Sequence, residues 1–486
     1  MPVRIVDRTA EPGTTSRALA VQARTLELYR QVGIADAVVG QGVRVPALNL
    51  WVEGKRAARV PLQRLGEGMS PYPFPLVHPQ DAHERLLIER LDAAGVRVER
   101  RTELLALAQE DARVRATLGR PDGSEEICEF LYLAGCDGAS STVREELGIG
   151  FPGGTYEGLF YVADVEASGP AMDGELHIDI EDADFALLFP LRGEGRARLV
   201  GNVFDVPGRD EGGLTFDDVR GRAIGHLKLD VRDVNWFSTY KVHHRVAHSF
   251  RDRRVFLLGD AAHIHSPAGG QGMNTGIGDA VNLAWKLAAV LNGSAAVGLL
   301  DTYESERVGF ARRLVATTDR VFTIVTKQGL LAQFVRTVIA PFLVPLAFRL
   351  PSLRQFLFRT VSQIGIEYRE SSLSEGRAGA VRGGDRLPWV GIAPGGDNFT
   401  PLTSLAWQVH IYGEARAEAT ELCATLGLPL YGFAWRPEME QAGLQAEALY
   451  LVRPDGYVAF ADPRADPRRL QRYLEERELF GCGRGT

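Results

Sequence analysis

The sequence predicts an α/β fold in which an antiparallel sheet interrupts a parallel-sheet domain and a second α/β unit follows. Three observations carry this. Val3 to Val6 and Arg254 to Leu258 are short apolar runs that end at an acid, Asp7 and Asp260, as buried parallel strands do. From about Phe151 to Arg251 the texture changes to strands joined by turns. A polar, Gly/Pro-rich linker, Arg382 to Asn398, then separates an α/β tail.

The elements follow in order. After the strand ending at Asp7, the spacing predicts helices over Val21 to Gln31 and Gln80 to Ala94, the latter with Leu86, Leu87 and Leu91 on one stripe. Phe130 to Leu133 reads as a strand emptying into Gly135-Cys136-Asp137-Gly138. Thr142-Val143-Arg144-Glu145, a capping-box match, opens the next helix. Strands are expected at Leu159 to Val165, Phe185 to Leu191 and Ala197 to Val203. A long helix is expected from Thr275 to Leu291, where Ile277, Val281, Ala284, Leu287 and Leu291 keep helical spacing. Helices continue to about Gly376. The tail has strands near Trp407 to Ile411 and Leu449 to Val452, the second turning at Pro454-Asp455-Gly456.

Composition excludes several classes. With 45% hydrophobic and 24% charged residues the chain is average for a globular protein, which argues against disorder, collagen-like repeats and coiled coil. A net charge of −7 argues against a nucleic-acid partner. Cys128, Cys136, Cys423 and Cys482 form no CxxC, so neither a zinc cluster nor a dense disulfide framework is encoded and no metal is expected. The opening MPVRIVDRTAEPG has no apolar signal region, and the cytoplasm is the expected compartment. Thr337 to Phe348 is 12 uncharged residues holding Pro341 and Pro345. A bilayer span takes roughly 20 residues, so a buried or interface helix is favoured over membrane contact and no stable membrane insertion is expected.

The densest chemistry lies in Arg254-Val-Phe-Leu-Leu-Gly-Asp-Ala-Ala-His-Ile-His-Ser-Pro-Ala-Gly-Gly-Gln-Gly-Met-Asn-Thr-Gly-Ile-Gly-Asp279. A strand delivers Asp260, which suits a polyol's hydroxyls, and side-chain-free glycines let backbone N–H groups approach a flat ring. The helix that follows presents its positive end to whatever lies in that loop, and such an end stabilises an anionic edge such as that of a reduced flavin. A glycine-rich loop by itself is equally a tight turn.

This segment, with the Asp137 turn and the strand ending at Asp7, resembles the class A flavoprotein monooxygenases, the FAD-dependent aromatic hydroxylases typified by p-hydroxybenzoate and phenol hydroxylases, and most of all their polyketide-hydroxylase branch. The resemblance covers nearly the whole chain. It implies a Rossmann-like FAD-binding domain over residues 1–150 and 252–325, an antiparallel-sheet substrate domain over 151–251, a helical connection over 326–381 and a thioredoxin-like domain over 382–486. The activity implied is hydroxylation of a phenolic or polycyclic aromatic with NAD(P)H and O₂, by a monomer or homodimer.

The resemblance also implies site roles. Asp7 holds the adenosine ribose, with Arg8 beside it, and Arg17 contacts the phosphate and ribityl region. Gln80 reaches the ribityl chain, and the Leu104 backbone meets adenine. Asp137 and Gly138 serve both FAD and the nicotinamide cofactor. Asp260 binds the ribityl hydroxyls, and Pro267, Gly269, Gly270, Gly272, Met273 and Asn274 surround the isoalloxazine ring. No side-chain base is implied. His263 and His265 read more readily as structural groups than as bases, and Phe185, Phe189 and Trp236 line an aromatic pocket or belong to sheet core.

The sequence departs from the family pattern at one point: a dinucleotide fold opens with a strand and a GxGxxG turn, and its ribose acid follows ~20 residues later, whereas here that acid is residue 7. The Rossmann-like domain therefore reads as missing its first βα unit, and the expectation is a true gene start upstream, encoding roughly 20 to 30 residues with an apolar strand and GxGxxG. Two rivals stay open: another flavin oxygenase, such as a Baeyer–Villiger type, and a flavin-free binding paralogue.

Overall fold

The computed structural model describes residues 2–13, 18–156, 158–179, 185–203, 214–266, 268–326, 329, 333–392 and 395–480. Its architecture is mixed α/β. Ile5–Asp7 pairs in parallel with Val98–Arg100. A second parallel ladder joins Leu133–Gly135 to Val255–Leu257, whose three apolar side chains are fully buried. The expected strand over Phe130 to Leu133 divides in two. Glu125–Phe130 closes an antiparallel three-stranded sheet with alternating burial, and the parallel strand starts only at Leu133. Leu131, half exposed, turns the chain between them.

The antiparallel sheet has seven strands in the order Asp230–Tyr240, Leu159–Ser168, Arg196–Val203, Ala186–Pro190, Leu176–Asp179, Ala47–Val52 and Lys55–Pro61. It is larger than the expected 151–251 segment because the hairpin at 47–61 completes its edge, Ala47–Val52 pairing in parallel with Leu176–Asp179. Its faces bury different sets. Leu188, Leu199 and Ala163 pack toward helix Phe216–Leu227, and the alternate residue Phe189 packs with Met273 in another apolar cluster.

Helices Ala23–Gln31, Gln80–Ala93, Gly272–Leu291 and Asp301–Thr326 follow the sequence periodicity. The third starts three residues before its expected Thr275, so Gly272, Met273 and Asn274 form its first turn. The segment Val335–Arg349 is helical; of the two expected alternatives, a buried or an interface helix, full burial does not hold on its outer side, where Phe342 is 76% exposed. Pro351, which has no N–H, breaks it from helix Pro351–Val361 with a bend of 98°. Helix ends at Val361, short of the expected Gly376. Among the described residues no single helix is long and apolar enough to cross a membrane.

The tail forms a six-stranded mixed sheet in which Gln408–Tyr412 pairs in parallel with Leu430–Phe433 and antiparallel with Leu449–Val452. Cys423 is buried there, whereas Cys136, in the Asp137 turn, is exposed.

Candidate functional site

Strand Val255–Leu257 ends in a single 3₁₀ turn, Gly259–Ala261, which leaves Asp260 exposed at the strand's carboxyl end. Gly259 takes φ +57 and lies against helix Gly272–Leu291 so closely that a Cβ on Gly276 would sit 3.2 Å from the Gly259 Cα. Asp279, fully buried one turn further on, fixes the contact. One oxygen accepts from Gly259 N (3.0 Å) and His263 Nε2 (2.7 Å), the other from Arg307 Nε (2.6 Å). Burial alone raises a carboxyl pKa, but Arg307, then His263 and the Gly259 amide, outweigh it and hold Asp279 at about 2. His263 is therefore a structural partner of this carboxylate.

The glycine loop is held as tightly. Gly269 and Gly270 have φ of +77 and +62, and a Cβ on Gly270 would come within 2.7 Å of the Ala20 Cβ. Asn274 ties the loop to segment 18–25: its Oδ1 accepts from Gln22 N (2.8 Å) and Thr25 Oγ1 (2.7 Å), and its Nδ2 donates to Ala20 O (2.9 Å) and Gly270 O (2.8 Å). The side chain's hydrogen-bonding capacity is filled by the protein, so its backbone amide is what it offers a ligand. Gln22 Nε2 donates to Gly269 O (2.9 Å), and Gln363 Nε2 donates to Gln271 Oε1 (2.6 Å) and Thr275 Oγ1 (2.9 Å).

Beyond this knot stands the N-terminus of a 20-residue helix, whose first-turn amides at Gly272, Met273 and Asn274 have no helical acceptor. His265 flanks it: the Nδ1 atom donates to Ser266 O (2.8 Å), so Nε2 is an acceptor, buried and without a partner, about where a Gly272 Cβ would meet the ring at 3.8 Å. Burial, then His263, lowers its pKa to about 4, which keeps it neutral. Exposed Asp260, the open position at Gly272, first-turn amides and an orphaned acceptor fit a flat, polyol-bearing, anion-forming cofactor.

Asp137, Gly138, Gln80 and Asp7 are joined to this unit through chains of contacts. Arg144, in the helix that Ser141 caps, donates to Ala261 O (3.1 Å) and Ala139 O (2.9 Å), linking the Asp260 turn to the Asp137 turn. Asp137 accepts from Ser141 Oγ (2.5 Å) and Val143 N (3.0 Å), and Gly138 takes φ +82 with open space where a Cβ would stand. Gln80 and Ala18 exchange two hydrogen bonds, which bind helix Gln80–Ala93 to the segment that Asn274 holds. On that helix Glu84 accepts from Arg100 (3.2 Å), and Arg100 in turn donates to Asp7 (3.0 Å) at the end of its strand. Arg8 is exposed, 3.8 Å from Glu103, and Leu104 is half-buried in an antiparallel strand. Arg17 and Pro267 lie outside the described residues. Gln22, Arg144, Arg307 and Gln363 carry no expected role in the sequence, although Arg144 sits in the noted capping box.

Gly272→Val tests the loop with little effect on the protein itself, since a Cβ there meets only the His265 ring at ordinary van der Waals distance. The expected result is markedly weaker FAD binding in a fluorescence titration, with the melting temperature of the FAD-free protein within a few degrees of the unsubstituted form.

The family described as FAD binding domain matches residues 1–318. The chain is similar to 6-methylpretetramide 4-monooxygenase of Streptomyces rimosus, with 36% identity over 98% of this chain and 89% of that protein. It is also similar to pentachlorophenol 4-monooxygenase of Sphingobium chlorophenolicum, with 32% identity over 80% of this chain and 72% of that one. Among solved structures, OxyS anhydrotetracycline hydroxylase from Streptomyces rimosus superposes with a TM-score of 0.77 at 29% identity, covering 98% of this chain and 94% of its own.

Proposed function

The chain belongs to the FAD-binding-domain family of flavin-dependent monooxygenases, and we propose that its substrate is an aromatic, either a phenol or a polycyclic polyketide-like ring system. Its cofactors are FAD and NAD(P)H. The observation that carries the reading is the Gly259–Asp279 unit, where an exposed acid, positive-φ glycines and free helix amides converge. FAD held there would supply the hydride acceptor for NAD(P)H and the means of activating O₂.

The protein's own residues supply binding and positioning. Asp260 accepts hydrogen bonds from the ribityl hydroxyls, the Gly272 to Asn274 amides face the ring's anionic edge, and Asp7, Gln80, Asp137 and Gly138 serve the rest of the dinucleotide. Arg8, Arg17 and the Leu104 backbone keep the adenosine and phosphate roles that the family resemblance implies, and Pro267, Gly269 and Gly270 keep theirs around the ring. The sheet face bearing Phe189 shares an apolar cluster with Met273, which supports an aromatic substrate between sheet and loop. Phe185 packs on Phe160, and the Arg198 guanidinium lies 5.7 Å from the Trp236 ring centre, so these two aromatics read as that face's framework.

The finer architecture proposed is a doubly wound sheet whose two parallel ladders flank one further strand, because each of Ile5–Asp7 and Leu133–Gly135 pairs along one edge only among the described residues. We also propose the division into residues 1–150 with 252–325, 151–251, 326–381 and 382–486, with a thioredoxin-like last unit. The pairing of Gln408–Tyr412 with one parallel and one antiparallel neighbour supports that last assignment.

The test is an FAD titration of the protein and of Asp260→Ala, followed by NAD(P)H oxidation with and without a panel of phenols and polycyclic aromatics. Loss of a charged acceptor is expected to weaken FAD by about 1.5–3 kcal/mol, roughly 10- to 100-fold in Kd. Oxidation is expected to rise when an aromatic binds, with a product one oxygen heavier by mass spectrometry. Equal FAD affinities reject the Asp260 role, and full flavin loading without stimulation by any aromatic rejects the substrate class.

A further inference from the structure

The bent helix pair Val335–Arg349 and Pro351–Val361 has two unlike faces. Its inner side chains, Val344, Phe348 and Phe358, pack into the apolar cluster that also holds Met273 and Phe189. Its outer side is apolar as well. Val335, Val338, Phe342, Leu346 and Leu350 recur at helical spacing and are all exposed, Phe342 to 76%, and Phe356 on the second helix is 63% exposed. Aromatic and aliphatic side chains at such exposure along two consecutive helices make a patch that needs a partner.

Charge identifies the partner. From Arg320 to Ile366 the sequence has no Asp or Glu, in a chain whose net charge is −7; Arg320, Arg349 and Arg359 are exposed and Arg354 is half-buried, whereas Arg336 is buried. Arg349 and Arg359 are exposed beside the apolar stripe. Strand Lys55–Pro61, which packs against the first helix, adds Lys55; its Arg56 and Arg59 are paired with Asp173 and Glu175, and nearby Arg64 lies 3.9 Å from Glu67. We propose that this outer face docks the protein on the surface of an anionic lipid bilayer. Phe342, Leu346 and Phe356 enter the headgroup boundary, and the arginines meet the lipid phosphates. A second copy of the chain fits less well, because a two-fold contact would set the same arginines against each other with no carboxylate between them. The helices lie at the surface without spanning the bilayer, since neither half is long enough to cross it. The docked element also touches the glycine loop, for Gln271 Nε2 donates to Val361 O (2.8 Å) at its end.

The test is flotation of the full chain with phosphatidylcholine vesicles, pure or with one-third phosphatidylglycerol. It needs no turnover and is independent of the substrate class. The protein is expected to float with the anionic vesicles alone and to be released by salt. Arg349→Ala with Arg359→Ala is expected to weaken the binding on the order of 30-fold, at about fivefold per arginine. Phe342→Trp, at an exposed position, is expected to keep the fold by circular dichroism and to shift its emission to the blue with anionic vesicles alone. Absent flotation, or equal flotation with neutral vesicles, overturns the proposal. So does a vesicle-free particle of two chains that Phe342→Ser with Leu346→Ser converts to one, because the face is then an interface between copies.

Discussion

Glu306→Gln is expected to lower the unfolding free energy by about 3–5 kcal/mol, the range for breaking a buried ion pair and leaving charge uncompensated. Glu306 is buried between helices Gly272–Leu291 and Asp301–Thr326 and the hairpin of the tail. One oxygen accepts from Asn282 Nδ2 (2.7 Å), Lys286 Nζ (2.8 Å) and Arg453 Nη2 (3.0 Å), and the other from Arg453 Nη1 (2.7 Å) and Ser371 Oγ (2.7 Å). Asp455, in the turn after Leu449–Val452, completes the set by accepting from Arg453 (2.6 Å) and Trp285 Nε1 (3.1 Å). Lys286 and Arg453 are wholly buried, so losing the carboxylate strands the Lys286 ammonium and leaves Arg453 to Asp455.

Burial lowers Lys286 to about 8, with Glu306 opposing the fall. In the variant that opposition is gone and the ammonium loses its proton more easily. A lysine with a depressed folded pKa destabilises while the pH is below its unfolded value, and the penalty shrinks as pH rises. The deficit of Glu306→Gln is therefore expected to be smaller at pH 9 than at pH 7. Urea denaturation at the two pH values checks this, and Lys286→Met added to Glu306→Gln is expected to cost less than the sum of the single changes.

Asp279→Asn is the second large effect. The amide cannot satisfy Arg307, which is fully buried and whose other partners, Tyr368 Oη (2.7 Å) and Thr275 O (3.1 Å), do not include a carboxylate. A stability loss of about 3–5 kcal/mol is expected. The same substitution loosens the Gly259 amide and His263, which hold the Asp260 turn against the helix. FAD binding is then expected to weaken by roughly tenfold or more, measured by titration well below the melting temperature. Arg307→Lys, with Asp279 in place, separates the two consequences: a point charge stays beside the carboxylate and the turn's own hydrogen bonds are intact, so most FAD affinity is expected to be kept.

The mixed α/β class, the antiparallel middle portion and the tail's strands were legible because strand and helix periodicities are local. Helix Gln80–Ala93 and strand Leu449–Val452 lie within a residue of their expected bounds. Less legible was the reach of the seven-stranded sheet, since Ala47–Val52 pairs with Leu176–Asp179 across more than a hundred residues and no local signal announces a distant parallel partner. The strand division at Leu131 was hidden for a related reason: the apolar run Phe130 to Leu133 reads as one strand until its pairing partners are known.

By itself the sequence determined the residue types that the chemistry requires at short spacing: the acid at a strand's end, the glycines where φ is positive, and the helix that follows. Those needs are met within a few residues of chain, so the residues themselves carry the signal. Only the tertiary structure decided which groups hold that loop in place. Asp279 meets Arg307 across 28 positions, Gln271 meets Gln363 across 92, and Glu306 meets Arg453 across 147. Tertiary structure also turned Phe342 and Phe356 outward, because periodicity marks an apolar stripe on a helix and only the packing of neighbours decides whether that stripe meets core, membrane or water.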